Sequence, residues 1–108
     1  DLHSFPTRRS SDLLSSLDDK IAEDVVSIDL RGKSSIAEYF VIATGSVVNH
    51  NQAICDEIEY QLKENNMDYL NTEGYKDGNW ILLDCGDIIV HIMTEDYRSY
   101  YNLERLWA

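Results

Sequence analysis

The stretch Asn79 to His91 reads NWILLDCGDIIVH and sets Asp84, Asp87 and His91 close together in the chain. Two carboxylates and an imidazole can bind a divalent cation or pass a proton, provided that they converge in space. Gly86-Asp87 lies between two apolar runs and reads as a two-residue hairpin turn, with glycine first as a type II′ turn prefers. In that register Cys85 faces Ile88, Leu83 faces Val90 and Ile81 faces Ile92, so one side of the hairpin is wholly apolar and belongs to the core. The other side pairs Asp84 with Ile89, Leu82 with His91 and Trp80 with Met93. Asp84 and His91 then share a face without forming a pair, while Asp87 sits in the turn and is expected to face mostly solvent. A metal or catalytic triad is therefore not expected. What remains is a face too apolar for open water and too polar for an ordinary core, which suits the holding of another molecule.

The other candidate chemistries are weaker. Ala43 to Asn49, ATGSVVN, sets Gly45-Ser46 between a strand and a helix, where backbone N–H groups could meet a phosphate. Neither dinucleotide nor P-loop glycine spacing is present, so Gly45 is read as the strand's end, with Ser46 or Asn49 capping the helix. Cys55 and Cys85 show no metal-ligand spacing and no local His or Asn partner, and are read as two buried thiols. No G-x-S-x-G elbow occurs.

The elements that must position these residues follow from apolar periodicity. Ser16 to Asp24 suits a short amphipathic helix, Val25 to Leu30 a strand, and Ala37 to Gly45 a mostly buried second strand. Asn49 to Asn66 is the strongest helical pattern, with Ala53, Ile54, Ile58 and Leu62 on one stripe. A weaker strand over Asp68 to Gly74 and the turn KDGN lead into the hairpin, and Glu95 to Trp107 suits an irregular or one-turn helical segment laid over the sheet. The fold class expected is α/β (α+β): one domain, with a mixed sheet of about five strands flanked by helices. The helical crossover permits parallel pairing of the second and third strands.

Residues 1–13, DLHSFPTRRSSDL, are polar and aperiodic and are expected to be a disordered, non-native tail ahead of a single domain over residues 14–108. The chain has 20 acidic against 9 basic residues, a formal charge of -11, which opposes direct nucleic-acid contact and favours a basic protein partner. No run of about 20 apolar residues offers a membrane span, so a soluble intracellular protein is expected.

The runs DLRGKSSIAEYFVIATG, NWILLDCGDIIVHIM and RSYYNLERLW, in this order, resemble the Iojap family of ribosomal silencing factors over nearly all of Leu17 to Trp107. The resemblance implies a nucleotidyltransferase-like fold without the active site. It also implies a non-enzymatic protein that binds the large ribosomal subunit through universal large-subunit ribosomal protein fourteen, blocks joining with the small subunit and represses translation under nutrient limitation or in stationary phase. The family's hairpin pattern falls on Trp80, Asp84, Gly86, Asp87, Val90 and His91, and its tail pattern on Tyr101, Leu103, Glu104 and Trp107. The partner-binding residues expected are Trp80, Leu82, Asp84, Asp87, His91, Met93 and Tyr101, with Trp80 and Met93 as apolar anchors, Asp84 and His91 as polar contacts and Tyr101 as aromatic support. No cofactor or metal is expected, and the free protein is a candidate homodimer. The alternatives are a nucleotidyltransferase-like enzyme, holding a nucleotide and Mg²⁺ at Gly45-Ser46 and nearby acids, or a large-subunit assembly factor.

Overall fold

The structure is a computed structural model and describes residues 22–67, 69 and 71–107. The elements run β1 (Glu23–Asp29), β2 (Tyr39–Gly45), α1 (Val48–Glu64), β3 (Asn71–Glu73), β4 (Trp80–Asp84), β5 (Ile88–Thr94), α2 (Glu95–Tyr101) and α3 (Leu103–Trp107). The amphipathic helix expected from Ser16 lies outside the described residues except for its end, where Glu23 and Asp24 belong to β1.

The five strands form one mixed sheet in the order β1-β2-β5-β4-β3. β2 and β5 lie side by side near its centre, covered on both faces, which is why YFVIATG and IIVHIM are nearly unbroken apolar runs. They form the parallel pair, with Tyr39 opposite Ile88 and Gly45 opposite Thr94. The parallel pairing that the helical crossover permitted between the second and third strands is made instead between the second and the fifth. β3 is three residues long and lies at the far edge against β4, because Leu82 to Asp84 is the only part of β4 that it reaches.

The hairpin has the register that its turn dictates. Trp80 pairs with Met93, Ile81 with Ile92, Leu82 with His91, Leu83 with Val90 and Asp84 with Ile89. Gly86 takes φ 88, the left-handed geometry a type II′ turn needs at its first central residue, and Asp84 Oδ1 accepts from the Gly86 N–H at 2.9 Å.

One face of the sheet packs Ile81, Leu83, Val90 and Ile92 against Ile54, Cys55, Ile58 and Leu62 of α1. The stripe runs 51, 54, 55, 58, 62, so Asn51 and Cys55 are inside while Ala53, expected on it, is exposed. Neither Ser46 nor Asn49 caps α1. Its N-cap is Val47, without a side-chain bond, and His50 reaches back so that Nδ1 accepts from the Ser46 N–H at 2.8 Å. At the other end Asn66 (φ 55) lets the Met67 N–H return to the Leu62 carbonyl at 2.8 Å, which closes the helix.

The opposite face carries a second core of Ile28, Leu30, Phe40, Ile42, Ile89, Met93 and Leu103. Glu95 to Trp107, expected to be irregular or a single turn, folds into two short helices. Asn102, at φ 46, breaks them apart.

Candidate functional site

α2 and α3 do not cover the second face evenly. α2 packs on β5 and β2, and the side chains of Trp80, Leu82 and Asp84 on β4 are left half-buried. Trp80 also lies beyond the end of β3, which pairs only from Leu82 onward. The result is a ledge with an aromatic floor. The ring of Tyr101 lies 4.9 Å from that of Trp80, with Tyr97 at 5.8 Å and Tyr100 at 5.0 Å from Tyr101. Tyr101 is 48% exposed and Tyr100 82%. Aromatic side chains left open at this density are costly for a protein that keeps only water beside them.

Beneath the ledge, Trp80 Nε1 donates to His91 Nδ1 at 3.0 Å. His91 is 4% exposed and meets the edge of Phe40 at 4.5 Å between ring centroids. Phe40 in turn meets Trp107 at 5.7 Å. Burial alone pushes the His91 imidazole down to about 4, so the ring is neutral near pH 7.

The expected site residues therefore divide by depth. Trp80, Leu82 and Asp84 are half-buried on the ledge and Tyr101 is exposed beside them. Met93, with no exposed surface, is packed in the second core, so it supports the ledge and cannot be the anchor it was expected to be. His91 is likewise too deep for direct contact. Asp87, expected to face solvent, is half-buried because its carbonyl accepts from the N–H groups of Glu38 and Tyr39 and ties the hairpin turn to the start of β2. Val90, matched by the family pattern, belongs to the core under α1.

Asp84, Asp87 and His91 do not converge. Asp84 is committed to the turn and His91 to the indole, and among the described residues no cluster of three His, Cys, Asp or Glu side chains could hold a metal ion. The Gly45-Ser46 turn opens on a cavity of about 410 Å³ at the carboxyl ends of β2 and β5, but Glu95 and Asp96 stand on its wall, and the Ser46 N–H is already taken by His50. A phosphate there would meet carboxylates. Cys55 and Cys85 are buried thiols not joined in a disulfide, and burial with Glu59 and Asp56 nearby pushes Cys55 up to about 12.

The family model described as ribosomal silencing factor during starvation matches residues 6–108. The chain belongs to this family. It is 45% identical over 91 residues to the ribosomal silencing factor of Bacillus subtilis, covering 84% of this chain and 77% of that one. A crystal structure of a Chromobacterium violaceum protein superposes with a TM-score of 0.86 at 32% identity, covering 91% of this chain and 82% of that one. A mouse protein named for mitochondrial assembly of the ribosomal large subunit is 30% identical over 99 residues, a match covering 89% of this chain and 43% of the longer mouse protein. The chain is thus a ribosomal silencing factor by family, with an α+β single-domain fold to match.

Three residues that hold the site's surroundings in place escaped the sequence reading. Phe40 supports His91, Arg98 ties α2 to the sheet, and Asn51 joins α1 to the loop before β4 through Asn51 Nδ2 donating to the Gly78 carbonyl at 2.7 Å. Asn51 could have been found, since it stands three residues before Ile54 on the buried stripe.

Proposed function

We propose that this protein binds the large ribosomal subunit through the Trp80 ledge, with universal large-subunit ribosomal protein fourteen as the contact, and thereby blocks joining with the small subunit. The observation that carries the reading is an aromatic ledge, Trp80 backed by Tyr101, that the described residues leave partly open, on a protein of formal charge -11. Such a surface suits a basic protein with an apolar centre better than it suits bare RNA. Trp80, Leu82, Asp84 and Tyr101 make the contact in this reading, Asp87 shapes its rim, and His91 and Met93 lie underneath. The action is repression of translation by occupancy, without catalysis, in the cytoplasm and under nutrient limitation, in keeping with the starvation role in the family's name.

The test is sucrose-gradient sedimentation of separated subunits with the native chain or Trp80→Ala. The native protein is expected to travel with the large subunit and to suppress joined ribosomes. Trp80→Ala should weaken binding by about 2 kcal/mol, roughly thirtyfold, with its melting transition retained. Joining that proceeds unchanged in the presence of bound native protein would sink the blocking mechanism.

A second reading, large-subunit assembly, is favoured by the mouse relative's name. It predicts immature large subunits when the protein is depleted from growing cells, before any block on joining is needed.

A further inference from the structure

His91 is a histidine with no contact to offer and an uncommon position. It is 4% exposed, its Nδ1 accepts from Trp80 Nε1 at 3.0 Å, and its Nε2 is buried with no hydrogen-bond partner. An imidazole that accepts at Nδ1 must carry its proton at Nε2, so here a buried N–H donor is left unmatched. Leaving such a group unmatched costs stability, and a hydrophobic side chain at this place in the second core would avoid that cost. What the imidazole supplies in return is one acceptor beneath the one donor of the indole.

We propose that His91 is a positioning residue, which pins the Trp80 indole in a single orientation on the ledge so that the docking surface is formed before the partner arrives. The proposal rests on the Trp80 ledge being the docking site. Three features of the site carry it. Leu82, directly across the hairpin from His91 and on the same face of β4 as Trp80, is apolar and half-buried, so it can pack beside the indole but offers its N–H no acceptor. Tyr101 meets the indole at 4.9 Å, but it is itself 48% exposed and lies just before the break at Asn102. His91, in contrast, is fixed from below: its backbone is paired in parallel with Ile42 and antiparallel with Leu82, and its ring is held edge-on by Phe40 at 4.5 Å. Of the two buried side chains under Trp80, Met93 supplies apolar support and His91 alone among the described residues supplies the acceptor that fixes the indole N–H. Binding to an ordered anchor avoids the entropic cost of freezing a side chain on contact, so loss of the pin weakens binding even where the ledge keeps every exposed atom.

The experiment compares His91→Leu, which fills the space without an acceptor, with His91→Gln, whose side-chain carbonyl can still accept. Each is made alone and together with Trp80→Ala, in the full chain. Two readouts are taken: affinity for purified large subunits, and the exchange rate of the indole N–H in ¹⁵N-tryptophan spectra, with Trp107→Phe assigning the two tryptophans. His91→Leu should weaken binding by about tenfold and speed exchange of the Trp80 indole proton, while His91→Gln recovers most of both. In the Trp80→Ala background His91→Leu should cause no further loss, because the pin then has nothing to hold. If Trp80→Ala weakens binding but His91→Leu binds as the native chain does, or if the two losses simply add, the positioning role is overturned while the docking site stands. If Trp80→Ala itself binds normally, the docking site falls and the proposal with it. Should His91→Leu fail to fold, His91→Gln decides alone: fast indole exchange with native affinity overturns the pin.

Discussion

At the scale of the residue, burial rather than sequence position decides what each group can do. His91 is neutral because the second core excludes water, and its folded-state value of about 4 lies below the ordinary 6.5. A histidine depressed in this way leaves stability intact above pH 6.5 and withdraws it as pH falls toward 4. The gap corresponds to about 3 kcal/mol at its limit. Denaturant unfolding of the native chain and of His91→Gln at pH 7.5 and pH 4.5 checks this, since the carboxylates common to both cancel. The native chain should lose more stability than the variant, and equal losses would assign acid sensitivity to other groups. Gly45 makes the same point in steric terms. A Cβ there would fall 2.1 Å from Asn51 Oδ1 and 3.0 Å from the Asn51 backbone nitrogen. Gly45→Ala should therefore cost about 1–3 kcal/mol in the same unfolding assay. That glycine was read from the sequence as a strand end, and the reading was correct but incomplete, because the close approach depends on Asn51 arriving from the following helix.

At the scale of the element, what was legible depended on how local the cause is. The hairpin register could be read because a two-residue turn fixes which side chains pair, and every pair from Trp80–Met93 to Asp84–Ile89 followed. The five-strand mixed sheet and the long helix were legible for a similar reason, an unbroken period. The parallel partner of β2 was not, because a helical connection allows a parallel strand without naming it, and β3 and β4 intervene in the chain before β5 takes the place. The two helices after β5 were missed because neither is long enough to display a period. α2 is held instead by Arg98, whose guanidinium donates to Thr44 Oγ1 at 2.8 Å, to the Asp24 carbonyl and to Glu104 at 3.1 Å. One side chain thereby joins β1, β2 and α3 to α2. Arg98→Ala leaves these acceptors unmatched and should cost about 2 kcal/mol, with hydrogen exchange rising first in β1 and α3. Arg98→Lys should recover little, since an ammonium lacks the planar fork that spans three partners. Uniform loss of protection across the sheet would show that Arg98 stabilises the whole fold and not this junction.

At the scale of the whole molecule, the charge and the ledge divide the work of association. A formal charge of -11 acts over distances comparable with the Debye length and favours approach to a basic surface such as the one proposed, but it carries no shape. In the proposed docking mode Trp80 and Tyr101 act only in contact, where they would exclude water and hold the complex together. The two contributions should therefore separate in kinetics. Raising the salt from about 0.05 to 0.5 M should slow association with the large subunit by about tenfold or more and leave dissociation nearly constant, because screening reaches the encounter before it reaches the buried contact. Trp80→Ala should do the reverse, speeding dissociation with little change in the association rate. Surface-immobilised large subunits, with the association and dissociation phases recorded at each salt concentration, resolve both. If salt instead altered mainly dissociation, charged pairs would lie inside the contact, and Asp84 would carry more of the binding than the aromatic ledge does.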